Sequence, residues 1–225
     1  MKFFSKQQGL NRRDCILLTF GLALVGLNPN LGAANLKQQS ETRILVVGDS
    51  LSAEYGLKRG SGWVALLETR LHSEKITASV VNASISGDTT SGGRARLAPL
   101  LVTHQPALVV IELGGNDALR GLPLALTQDN LLAMTNMAQK SGARVLLLGM
   151  QVPPNYGRDY GLRLSAMYAD VAKATRAGLV PFMLKGIADA PDSLTWFQAD
   201  RIHPKEEAHP LILANVWPEL KKGLK

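Results

Sequence analysis

Five residues of this 225-residue chain have the types and spacing for acyl transfer. Ser50 stands in Gly48-Asp49-Ser50-Leu51-Ser52, and Gly87 in Ser84-Ile85-Ser86-Gly87-Asp88. Asn116 stands in Gly114-Gly115-Asn116-Asp117, and Asp200 and His203 share Asp200-Arg201-Ile202-His203-Pro204. A serine hydroxyl is a weak nucleophile and needs a base within hydrogen-bond reach. His203 is suited to that role, and Asp200, three residues earlier, can hold the imidazole and stabilise its protonated form. Attack on an ester carbonyl creates an oxyanion, which needs preorganised donors. The backbone N–H groups of Ser50 and Gly87 and the side-chain amide of Asn116 can supply three. A glycine at position 87 lets the backbone approach with no side chain in the way.

Each string alone also has a plain structural reading. Gly-Gly-Asn-Asp is a good turn, Gly-Asp-Ser a good cap between a strand and a helix, and Asp-X-X-His a cap with its neighbour. Ser52 and Ser86 are alternative nucleophiles. Asp49, Asp88 and Asp117 all follow strand-like runs, so a hard-cation site is a rival reading of the acids. His72, His104 and His209 read as helix or helix-end residues, and Trp63, Trp196 and Trp217 as packing. A binding module for phosphate or metal is the non-enzymatic alternative, although the chain has no phosphate loop of the Gly-X-X-X-X-Gly-Lys type.

What must position the five residues is an alternation of short apolar runs and helical stretches. Strand-like runs are expected at 43–47, 76–81, 108–111, 145–148 and 180–184, the first stopped by Gly48, the second by Asn82, the third by Gly114-Gly115 and the fourth by Gly149. Helical spacing covers about 63–72, 92–103, 127–140, 162–177 and 205–222, with Pro210 and Pro218 expected to bend or shorten the last. Strands alternating with helices imply a parallel sheet covered on both faces. Ligands of such sheets bind at the carboxyl ends of the strands. All four strings fall there or just before the last helix, which is much harder to assign to chance than any one of them.

Composition narrows the classes further. Hydrophobic residues make up 46% of the chain, a globular proportion. One cysteine excludes a disulfide framework and any cysteine-based zinc or iron–sulfur site held by this chain alone. The net charge is +7, but residues 1–34 contribute Lys2, Lys6, Arg12 and Arg13 against Asp14. The remainder is mildly basic, dense only at Lys221, Lys222 and Lys225, which does not call for nucleic acid. The first 34 residues order a basic segment, a thirteen-residue apolar run from Cys15 to Leu27 and the small residues Gly32-Ala33-Ala34. That order predicts a signal peptide cleaved after Ala34, leaving 35–225 as one domain. The apolar run is shorter than the about 20 residues of a membrane span. Asn11 through Leu17 also looks like a twin-arginine export signal, beside the general secretory route. The expected location is the periplasm or the exterior.

Taken together, Gly48-Asp49-Ser50-Leu51-Ser52, Ser84 through Thr90, Glu112 through Asp117 and Asp200 through Pro204 resemble the four blocks of the GDSL, or SGNH, hydrolase family. The stretches Gly48–Gly56, Asn82–Thr89, Gly114–Gly121 and Pro154–Gly157 resemble its exported bacterial members with thioesterase, lysophospholipase and arylesterase activity. The resemblance implies a flavodoxin-like three-layer α/β/α fold with a five-stranded parallel sheet. It implies Ser50 as nucleophile, His203 as base, Asp200 as orienting acid, and Ser50, Gly87 and Asn116 as the oxyanion hole. It also implies an open site whose acyl groove is shaped by Leu119, Leu122, Pro153, Pro154 and Tyr156. No cofactor or metal is implied. The expected substrate is a small acyl ester, thioester or lysophospholipid, handled by a monomer with transient membrane-surface contact. A short-chain or carbohydrate O-acetyl esterase using the same residues is the alternative. The Gly-X-Ser-X-Gly elbow of α/β-hydrolases is absent, as the family requires. Glu54, Ala118, Arg201 and the segment 178–194 depart from the close members and leave substrate preference open.

Overall fold

A computed structural model describes residues 41–225. The export segment and Cys15 lie outside the described residues. Five strands, β1 (Thr42–Gly48), β2 (Ala78–Asn82), β3 (Leu108–Glu112), β4 (Arg144–Leu148) and β5 (Gly178–Val180), form one sheet in the order β2-β1-β3-β4-β5. Every pairing is parallel. Residues 44–47 of β1 and 108–111 of β3 are fully or almost fully buried, because helices cover both faces and leave no solvent side for polar alternation. This is the flavodoxin-like layered order expected from the sequence.

Helix α1 (Trp63–Ser73) packs with α6 (His209–Gly223) on one face. Helix α2 (Thr90–His104) packs on α4 (Leu124–Lys140), and α4 on α5 (Arg158–Thr175), on the other. The buried positions Trp63, Val64, Leu67 and Leu71 recur along one stripe of α1, as do Leu131, Met134 and Ala138 along α4. A short helix, α3 (Gly115–Leu119), follows β3 directly.

Three expectations need correction. The last strand ends at Val180, earlier than the 180–184 run suggests, because Pro181 has no N–H for the ladder and the chain turns there. Met183 and Leu184 are buried all the same, which is why their apolar run resembles a strand. Secondly, Gly48-Asp49-Ser50 does not cap a helix: residues 50–55 form consecutive turns and α1 begins only at Trp63. Finally, the stretch from 205 splits into a 3₁₀ turn (Glu206–Ala208) and α6, with Pro210 in the first turn, where the missing N–H costs no bond.

Candidate active site

The sheet order reverses between β1 and β3, since β2 lies outside β1 and the chain then crosses to β3. In sheets of this kind ligands bind at the carboxyl ends of the two strands that flank such a reversal. Ser50 leaves β1 beside it, Gly87 lies on the loop after β2, and Asn116 is in the first turn of α3, just past β3. Asp200 and His203 arrive from the far end of the chain, in the loop before α6. An antiparallel bridge between Phe197 and Pro204 closes that loop on itself.

There the predicted residues meet. His203 Nε2 lies 2.9 Å from Ser50 Oγ, and its Nδ1 lies 2.7 Å from Asp200 Oδ2. A carboxylate only accepts, so Nδ1 carries the proton and the Nε2 lone pair faces the serine hydroxyl. Asp200 Oδ1 accepts the backbone N–H groups of Ile202 (2.9 Å) and His203 (3.0 Å), so the Asp-X-X-His spacing makes its own cradle. Partial burial works against the Asp200 charge, but the His203 and Ile202 N–H groups and the His203 ring outweigh it and hold the carboxyl at about 2. Its value lies below that of a free carboxyl, so the charge is lost only as pH falls through about 2. Through mild acid Asp200 therefore stays ionised and keeps its hold on the ring. Asp200 is also partly open to solvent, its side chain 37% exposed, and screening weakens its hold on the ring. We expect Asp200→Asn to lower kcat by about 10- to 100-fold, well short of the about 10⁴-fold cost at a buried triad aspartate. Steady-state kinetics at neutral pH measures this directly.

The backbone N–H groups of Ser50 and Gly87 have no acceptor among the described residues. Gly87 sits at φ +79°, a conformation that a side chain disfavours. Arg120 donates to the Gly87 carbonyl at 2.8 Å, and Arg96 ties the same loop down through Asp88 (2.8 Å) and the Ala83 carbonyl. Asn116 Nδ2 donates to Asp49 Oδ2 and to the Asp88 carbonyl, both at 3.0 Å. Its amide is thus held beside Gly87 with both hydrogens engaged.

The other candidates go elsewhere. Ser52 is buried and its Oγ donates to Glu112 at 2.8 Å, away from His203, while Ser86 is exposed on the Gly87 loop. The three aspartates do not converge: Asp49 faces Asn116, Asp88 pairs with Arg96, and Asp117 accepts from Thr90 and Thr127. His209 is buried and caps α1 by accepting the Trp63 N–H on Nδ1 (3.0 Å). Burial holds its imidazole below the ordinary value, so it stays neutral and structural. In the suggested groove, the Tyr156 hydroxyl reaches the Leu119 carbonyl at 3.5 Å and joins the two loops. Leu122, Pro153 and Tyr156 are exposed, Leu119 is half-buried, and Pro154 opens a single 3₁₀ turn.

Three residues at the site escaped the sequence reading. Tyr55 lies over His203, ring centroids 4.3 Å apart and planes tilted by 40°. Gln198 Nε2 donates to the Tyr55 carbonyl (3.0 Å) and the Pro204 carbonyl (3.1 Å), linking the turn after Ser50 to the histidine loop. Glu112, the last residue of β3, is fully buried and accepts from the Asp49 N–H (3.2 Å) and Ser52 Oγ. Its only sequence signal is an acid ending a wholly apolar strand.

The sequence profile of the GDSL-like lipase/acylhydrolase family matches residues 46–211. The chain belongs to this family. It is 51% identical to the esterase TesA of Pseudomonas aeruginosa over 206 residues, covering 92% of this chain and 97% of that one. It is 43% identical to thioesterase 1/protease 1/lysophospholipase L1 of Escherichia coli over 169 residues, covering 75% and 78%. The crystal structure of TesA superposes with a TM-score of 0.78 at 53% identity, over 82% of this chain and all of that one. The GDSL chain is therefore an acyl-ester hydrolase, and the resemblance seen in its four blocks extends through the whole fold.

Proposed function

We propose that this hydrolase works by double displacement on Ser50. As Ser50 Oγ attacks the acyl carbonyl, its proton passes to His203 Nε2 and the carbonyl π pair becomes the oxyanion. The oxyanion is received by the Ser50 and Gly87 N–H groups and the Asn116 amide. Collapse expels the alcohol or thiol, which takes the proton from His203, and leaves an acyl-enzyme. Water, losing its proton to His203, adds to the acyl carbon, and the second collapse frees the carboxylic acid and restores Ser50. The observation that carries this reading is the unbroken Asp200–His203–Ser50 chain at 2.7 and 2.9 Å, set beside two backbone N–H groups with no acceptor among the described residues.

The proposed substrates are fatty acyl esters and thioesters, including lysophospholipids. Loops at this edge carry exposed apolar side chains at Tyr55, Ile85, Leu122, Tyr156 and Ile202, surfaces on which an acyl tail can lie. The relatives' names add support, since they include esterase, thioesterase and lysophospholipase. Export is proposed from the order of basic, apolar and small residues at the N-terminus, with the enzyme meeting its lipids as a monomer in transient contact with a membrane surface. A series of nitrophenyl esters from acetyl to dodecanoyl tests the acyl preference. Each methylene that finds partial cover should raise kcat/KM by about two- to fourfold until the groove is filled. Activity confined to acetyl esters would instead indicate an O-acetyl esterase.

A further inference from the structure

Beneath the nucleophile lies a pair of acids that the double displacement does not use. Asp49 and Glu112 are both buried, and the Asp49 N–H donates to Glu112 Oε2 at 3.2 Å. Two ionised carboxylates are costly side by side in such a buried site, so the pair keeps one proton. The surroundings decide where it rests. Asp49 has donors on both oxygens: the Leu51 N–H on Oδ1 (3.1 Å) and the Asn116 amide on Oδ2 (3.0 Å). Glu112 gathers its two donors, the Asp49 N–H and Ser52 Oγ, on Oε2, while buried Oε1 has no partner among the described residues. A bare, buried carboxylate oxygen is costly when charged, so of the two acids Glu112 is the one its surroundings hold neutral.

We propose that Asp49 is a positioning residue: Glu112 keeps the shared proton, the charge rests on Asp49, and that charge aims the Asn116 amide at the oxyanion. The proposal rests on the serine mechanism above and deepens it. One hydrogen of Asn116 Nδ2 is anchored on Asp49, which fixes the plane of the amide. The other points at the Asp88 carbonyl, one residue from the Gly87 N–H, and a developing oxyanion competes for it as a stronger acceptor. The effect belongs to the transition state, so it appears in kcat and leaves KM in place. Burial, the largest influence on each acid, raises both, Asp49 to about 6 and Glu112 well above the ordinary range, in keeping with this division of the proton.

A double-mutant cycle through Asn116 tests it, with rates expressed per site labelled by an organophosphonate so that misfolded protein does not count. In Asp49→Asn the new amide sets a donor against Asn116, and kcat should fall about 100-fold with KM changed by less than about twofold. In an Asn116→Ala background the same change should cost less than about threefold, because its route to the reaction is already gone. Glu112→Gln is neutral, as the protonated acid is, and keeps an acceptor for Ser52 and the Asp49 N–H, so its loss should stay below about fivefold; it tests the proton's place even where Asp49→Asn does not fold. Three results overturn the proposal: near-normal kcat in Asp49→Asn, its full loss repeated without Asn116, or a loss in Glu112→Gln as large as that in Asp49→Asn. Label on a residue other than Ser50 in the unmodified chain overturns the serine mechanism instead, and the proposal with it.

Discussion

Ser50→Ala should lower kcat by about 10⁴- to 10⁶-fold while the protein keeps its fold. The replaced hydroxyl contributes the attacking oxygen, and the only partner it has among the described side chains is His203. His203 remains bound to Asp200, and the loop remains closed by the Phe197–Pro204 bridge, so the circular dichroism spectrum and melting temperature should hold. His203→Ala should fall by a similar factor, and the double variant should be no worse than either single one. Serine and base act as one unit, and removing either stops the same proton-coupled attack. Initial rates on a nitrophenyl ester measure all three. A Ser50→Ala protein with more than a few per cent of normal activity would mean that another group attacks.

Asn116→Ala should lower kcat by about 100- to 1000-fold with little change in KM. The oxyanion exists only after attack, so a donor aimed at it contributes nothing to binding the planar ester. The Ser50 and Gly87 N–H groups stay in place, held by the turn after β1 and by the Arg96 and Arg120 contacts to the Gly87 loop, and they account for the activity that survives. Full kinetics on one well-behaved ester separates the two parameters. A rise in KM at constant kcat would instead make Asn116 a residue that binds the ground state.

The central strands and the five chemical residues are legible in the sequence for physical reasons. Strands buried on both faces must be continuously apolar, so the runs ending at Val47, Ile111 and Leu148 stand out, and in such sheets chemistry collects just beyond them. The Asp-X-X-His spacing is local, and a single turn of backbone makes the whole Asp200–His203 contact. Glu112 is different, because its partners Asp49 and Ser52 come from another strand end and are adjacent only once β3 pairs with β1. Tyr55 reaches His203 through consecutive turns whose path depends on Gln198, far away in the chain. Helix α3 is five residues long, too short to show a period. At β5, burial of Met183 and Leu184 mimics a strand where proline has already ended one. The loops proposed to carry the acyl chain are the least legible part, since their exposed side chains have no periodic signature.

The central claim is that Ser50, activated by His203, is the nucleophile. Labelling the folded protein with a fluorophosphonate and locating the adduct by peptide mass analysis tests it most directly. The account predicts one adduct per chain, on the peptide carrying Ser50, and none in the His203→Ala variant. An adduct on Ser52 or Ser86, or a folded and active protein that takes up no label, would contradict it.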